Sequence, residues 1–230
     1  NLFDCIDDPL TKDEEFTPSG NRYWTYQKYK KKVVDIAKTV IAIGEWEYPV
    51  LVALCEIENE LVLKDLTKYS PLKEANYLYV HQNSPDMRGI DVALLYQKEN
   101  FSLISAEFLK VTNKEQTYRT RDILYAQGCL SSGDTLHVFV NHWPSRLGGE
   151  LESEEKRILA ASVLKEKVID VQKRHIKPYI LIMGDFNDMP NNKSIVETLG
   201  ATCINTKDKI LNENLYNLSC KAHEENIIGT

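Results

Sequence analysis

Short apolar runs that break off into polar clusters constrain this chain more than any other feature of its sequence. Residues 50–55 run into Glu56, residues 136–141 into His142, and residues 179–183 into Gly184-Asp185-Phe186-Asn187. Runs this short and this rich in Val, Ile and Leu read as buried strands. If these strands share a direction in the core, the polar clusters meet on one edge. Short loops there are held by a rigid scaffold.

The surrounding pattern is mixed α/β. Tyr26, Tyr29, Val33, Ile36, Val40 and Ile43 recur at three- and four-residue spacing, which predicts a helix over 21–43. Gly44 ends it, and Pro49 keeps a new helix from starting there. Residues 61–72 suit a short helix. Residues 77–81, 91–96, 101–109, 123–130 and 135–141 are β-like, and Ser132-Gly133-Asp134 turns the last two into a hairpin. A long helix is expected over 151–175 with Ile158, Ala161, Leu164, Val168 and Val171 buried, then a short one over 194–199. The final thirty residues carry no assignable pattern. No repeat or linker divides the chain, so residues 1–230 read as one domain. Two sheets packed face to face with helices outside would bury the apolar strands on both faces.

The net charge of −6 argues against a protein that coats nucleic acid, but not against a nuclease, which needs only a local basic patch. Lys28, Lys30, Lys31 and Lys32 read as a solvated helix face. Five cysteines without a C-x-x-C pair suggest neither a zinc site nor a disulfide framework. No apolar run approaches the ~20 residues of a membrane span. Location stays open between the cytoplasm and export after loss of a signal peptide.

The polar clusters suit phosphate chemistry. A carboxylate such as Glu56, ending so apolar a run, is costly to bury unless paired or bound to metal; the alternative is that it emerges into solvent with Glu58 and Asn59. Asp185 and Asn187 lie two apart, so both can point one way while Phe186 points into the core. Their oxygens suit a hard cation or a poised water. His142 precedes Ser145 and Arg146; an arginine fork matches a phosphate, and a histidine can donate to one or protonate a leaving oxygen. Arg88, and Arg119 with Arg121, are further phosphate contacts or else surface arginines paired with acids. His81, His137, His175 and His223 read as structural.

Four segments together resemble the ordered motifs of the endonuclease/exonuclease/phosphatase family: Leu54-Cys55-Glu56-Ile57-Glu58-Asn59, Arg88-Gly89-Ile90-Asp91-Val92-Ala93-Leu94-Leu95-Tyr96, Asn141-His142-Trp143-Pro144-Ser145-Arg146 and Gly184-Asp185-Phe186-Asn187. The resemblance implies a four-layer αββα sandwich of two mixed β-sheets flanked by helices. It also implies magnesium- or manganese-dependent attack of water on a phosphate ester. Glu56 is then the metal ligand. His142, Asp185 and Asn187 are the catalytic set, and Arg88, Ser145 and Arg146 contact the substrate phosphate.

The family's first-strand asparagine and late Asp-His pair have no counterpart here, so the expectation is a chain lacking terminal strands at both ends and of low activity. The leading function is a phosphodiesterase or nuclease whose partner is a phosphate-ester substrate, nucleic acid among the candidates. The alternatives are a phosphoinositide phosphatase, a sphingomyelinase-like enzyme, or a non-catalytic module that retains the fold.

Overall fold

A computed structural model of the chain describes residues 1–113, 115, 117–204 and 214–225. Residues 205–213 and 226–230, part of the unassigned tail, lie outside the described residues. The chain divides into two compact units. One is Asn1–His142 with Tyr179–Asp185, and the other is Trp143–Pro178 with Phe186–Thr230.

The first unit opens with helix α1, Tyr26–Gly44, shorter at its start than periodicity implied. Thr25 sets that start, because its side chain accepts from the Lys28 backbone N–H. Strand β1 is Leu51–Ile57 and helix α2 is Glu60–Lys68, capped by Asn59. A 3-10 turn over Pro71–Ala75 accounts for the rest of the second expected helix. Strands β2 (Tyr77–His81), β3 (Asp91–Gln97), β4 (Phe101–Leu109), β5 (Ile123–Leu130) and β6 (Thr135–His142) follow, and β7 is Tyr179–Asp185.

Two sheets form. The first has the order β1-β3-β2, antiparallel throughout, with a parallel bridge from Leu2 to Ile57. The second has the order β4-β5-β6-β7 and is mixed, since β6 and β7 run parallel. Strand β3 explains the packing. Ala93 and Leu95 join a core with Val33 and Ala37 of α1 and Leu63 and Leu66 of α2. Val92, Leu94 and Tyr96 join a second core with Leu124, Ala126, Val138 and Val140 of the other sheet. With side chains alternating across a strand, a central strand buried on both faces must be apolar at every position.

The second unit contains helix α3, Glu150–Arg174, and a short π-helix, Ser194–Leu199, where an ordinary short helix was expected. Lys165 Nζ donates to the Leu199 carbonyl at 2.7 Å. The buried stripe of α3 differs from expectation. It includes Ser153 and Arg157 with Ala160, Ala161, Leu164, Val168 and Val171, while Ile158 is only half-buried. Strands β8 (Ala201–Cys203) and β9 (Leu215–Asn217) pair in parallel, and helix α4 is Cys220–Glu224. A disulfide joins Cys203 to Cys220, which overturns the expectation of no disulfide. The odd cysteine count concealed it: Cys5, Cys55 and Cys129 are free and one pair is bonded.

Candidate active site

Glu56 owes its position to a defect in β1. Leu51, Ala53 and Cys55 face the core between the sheets, and Val52 and Leu54 face the helices. Unbroken alternation would send residue 56 into the helix-side core. Instead the register with β3 shifts between Cys55 and Ile57, and Ile57 takes the helix-side place. Glu56 is the bulged residue, with φ of 60°, a left-handed value that side chains other than glycine adopt at a cost. Its carboxylate is thereby excused from the core. Its Oε2 lies 3.2 Å from the backbone nitrogen of Asn1.

The residues after Glu56 do not emerge into solvent. Glu58 is buried and its Oε2 accepts from the Asp4 backbone N–H at 2.6 Å. Burial, with Asp4 and Asp13 close by, pushes its pKa up to about 8. Asn59 both caps α2 and donates to Asp4.

His142 and Asp185 end the parallel strands β6 and β7 and pair across them. The paired ends come close. Asn141 donates its side-chain amide to the Met183 carbonyl at 3.2 Å, and a Cβ on Gly184 would stand 1.9 Å from the Asn141 carbonyl oxygen. Gly184 has φ of 129°, so no other residue suits it. Strand β1 lies against both strands. The Cys55 thiol donates to the Asn141 carbonyl at 3.3 Å and contacts the Asp185 backbone. In the first unit, then, Cys55 ties the strand that carries Glu56 to the ends of the strands that carry His142 and Asp185.

The imidazole of His142 is buried and its Nδ1 has no hydrogen-bond partner. Burial, then the charges of Arg121 and Arg88, lower its pKa to about 3. A buried arginine that sequence offered only as a phosphate contact or a surface pair holds this histidine from behind. Arg121 donates Nε to the His142 carbonyl at 3.2 Å and a terminal nitrogen to Asp86 at 2.9 Å. Asp86 also accepts from Arg88, which is half-exposed. Burial raises the Asp86 carboxyl, but the hydrogen bonds from Arg121 and Arg88 outweigh it and lower its pKa. Sequence reasoning missed Asp86 and Cys55; the only trace of Asp86 was an acid two residues before Arg88.

The second unit holds the other expected residues. Asn187 has φ of 50°, so the strand does not continue through it. Its side-chain amide donates to the Trp143 carbonyl at 2.9 Å, and Phe186 packs edge-on against Trp143. Arg146 donates Nε to the Asn187 carbonyl at 2.9 Å and pairs with Asp188 and Glu150. Ser145 accepts from the Leu147 backbone N–H at 3.4 Å. Asp188 is buried against Arg157, and sequence reasoning gave neither a role.

No three or more His, Cys, Asp or Glu side chains among the described residues are arranged to hold a metal. A magnesium site asks less of a protein, because the ion keeps several waters and takes one or two carboxylates beside substrate phosphate. Glu56, a carboxylate re-aimed by its bulge, fits that demand. A cleft of about 650 Å³ elsewhere in the first unit is lined by residues such as Cys5, Lys12 and Glu14, and none of the expected site residues lines it.

Two sheets with carboxylates and a histidine at their strand ends define a class of phosphoesterases. A model of the endonuclease/exonuclease/phosphatase family matches residues 1–230, and the chain belongs to that family. No curated protein matches it. Solved structures share the fold at low identity. The human Nocturnin catalytic domain with bound sulfate is 18% identical with a TM-score of 0.56, over 73% of this chain and 60% of that one. Zebrafish (D. rerio) TDP2 with a single-stranded DNA product is 18% identical with a TM-score of 0.54, over 74% and 58%. ANGEL2, a 2',3'-cyclic phosphatase, is 14% identical with a TM-score of 0.58, over 70% and 45%. The chain therefore spans less than two thirds of each.

Proposed function

We propose that this protein hydrolyses phosphodiesters, with nucleic acid as the leading substrate, by in-line attack of water in the presence of magnesium or manganese. One observation carries the reading: the strand bearing the bulged Glu56 is tied through the Cys55 thiol to the strand that ends in His142, whose parallel neighbour ends in Asp185. The family supports a phosphoesterase. The zebrafish relative holding a DNA product favours a nuclease. We take residues 1–230 as one catalytic domain.

A divalent cation at Glu56 would offset charge on the phosphate and the leaving oxygen. The remaining work falls to the chain. Asp185 accepts from the attacking water and orients it. His142, neutral at physiological pH, donates a hydrogen bond to a phosphate oxygen; its low pKa favours that role over protonating the leaving group. Asn187 holds the phosphate, and Arg88, Ser145 and Arg146 contribute further contacts. No helix among the described residues is long and apolar enough to cross a membrane. The Cys203–Cys220 disulfide favours an oxidising compartment.

The test assays the protein with magnesium or manganese on bis-p-nitrophenyl phosphate, single-stranded and plasmid DNA, RNA, a soluble phosphoinositide and sphingomyelin. Turnover of the diester and of a nucleic acid is expected. Glu56→Gln should abolish both turnover and metal binding measured by calorimetry. A preference for either lipid substrate would replace the nuclease reading. No turnover of any of these would leave a non-catalytic module.

A further inference from the structure

We propose that Asp188 and Arg157 are positioning residues that fix the loop carrying Asn187. The inference rests on the reading of Asn187 as a phosphate-holding residue and adds what holds it in place. Arg157 is fully buried in the stripe of α3, and the Asp188 side chain is 1% exposed. Their closest atoms, Arg157 Nε and Asp188 Oδ1, are 2.8 Å apart, an ion-pair contact and not an aligned hydrogen bond. The rest of the Arg157 fork is satisfied within α3, by Ser153 Oγ at 2.6 Å and the Glu150 carbonyl at 2.9 Å.

Asp188 is held from three sides. Ser194, at the start of the π-helix, donates its hydroxyl to Oδ2, and Arg146 and Arg157 face Oδ1. Arg146 also donates to the Asn187 carbonyl, so one guanidinium clamps two successive residues. Asn187 has φ of 50°, a left-handed value that asparagine adopts more readily than other side chains, so the backbone permits this turn and the clamp around it selects it. A buried ion pair is weak evidence for stability, since apolar side chains of similar volume often serve as well. Its best-attested use is to select one arrangement among several. Here the arrangement selected is the one that carries the Asn187 amide.

The apolar replacement is therefore the test. Arg157→Met with Asp188→Leu should fold with a thermal midpoint near that of the parent. It should also lower kcat on bis-p-nitrophenyl phosphate by about 10²-fold, the typical effect of a roughly 1 Å misplacement, with KM little changed. A second readout needs no activity. The Asn187 side-chain NH₂ protons, bonded to the Trp143 carbonyl, should exchange slowly in the parent and much faster in the double variant, followed by ¹⁵N NMR. Where Asn187→Ala itself costs activity, an unchanged value of either readout overturns the proposal. Where Asn187→Ala retains full activity, the functional reading of Asn187 fails and exchange alone decides: faster supports positioning, unchanged overturns it. Should the double variant not fold, Ser194→Ala removes one donor to Asp188 and is read by the same two measurements, with severalfold effects expected.

Discussion

The thiol of Cys55 donates to the backbone carbonyl of Asn141 at 3.3 Å, tying the strand that carries Glu56 to the strand that carries His142. Burial pushes this thiol up to about 11, so it stays protonated and able to donate. Cys55→Val keeps a small apolar side chain and removes the donor. Stability should fall by about 1 kcal/mol, read from urea unfolding. We expect kcat on a model diester to fall roughly 3- to 30-fold as the two strand ends lose their tie. An unchanged kcat would mean that the thiol is only packing.

Gly184 offers a sharper stability test. A methyl group there would stand 1.9 Å from the Asn141 carbonyl oxygen, on a backbone with φ of 129°. Both steric overlap and dihedral strain oppose it, so Gly184→Ala should cost about 2–4 kcal/mol in equilibrium unfolding. A loss below about 1 kcal/mol would show that β6 and β7 can separate to admit the methyl.

The histidine predicts a pH profile by what it lacks. His142 has its pKa lowered from 6.5 to about 3 by burial and by Arg121 and Arg88, with Asp86 opposing. Between those values the unfolded chain binds the proton and the native one does not. The stability contributed by a neutral His142 is thus present above pH 6.5 and lost as pH falls from there toward 3. His142→Asn should flatten that part of the urea-unfolding profile. In kcat/KM no inflection is expected near pH 6.5. Finding one there that vanishes in His142→Asn would refute the buried, neutral imidazole.

The cysteines can be counted directly. Denatured without reductant, the protein should take up alkylating reagent at Cys5, Cys55 and Cys129 only; with reductant, Cys203 and Cys220 should react as well. Labelling of Cys203 or Cys220 in the unreduced protein would remove the bond.

Much of the scaffold was legible because burial on both faces writes itself into a strand. The runs 77–81, 101–109 and 123–130 coincide with β2, β4 and β5. Helix limits were less legible: Thr25 caps α1 through a side-chain bond that apolar spacing does not register. Glu56 was found for a reason only partly right. It was expected past the end of β1, and it lies within the strand, where a bulge shifts the alternation. A two-residue period has no way to announce an extra residue. Arg157 left a detectable signal. It falls in helical register with Ser153, Ala160, Ala161 and Leu164, so a charge stood on the apolar stripe. The Cys203–Cys220 bond left none, since an odd count with no characteristic spacing does not specify a pair.

That bond closes a covalent ring over a sequence separation of 17 residues. A protease that cuts the peptide chain anywhere between Cys203 and Cys220 adds one water to the mass but releases no fragment. On a denaturing gel run without reductant the nicked protein would keep its full mass. Only with reductant would the C-terminal piece separate, so proteolysis in this segment goes unseen unless both gels are run.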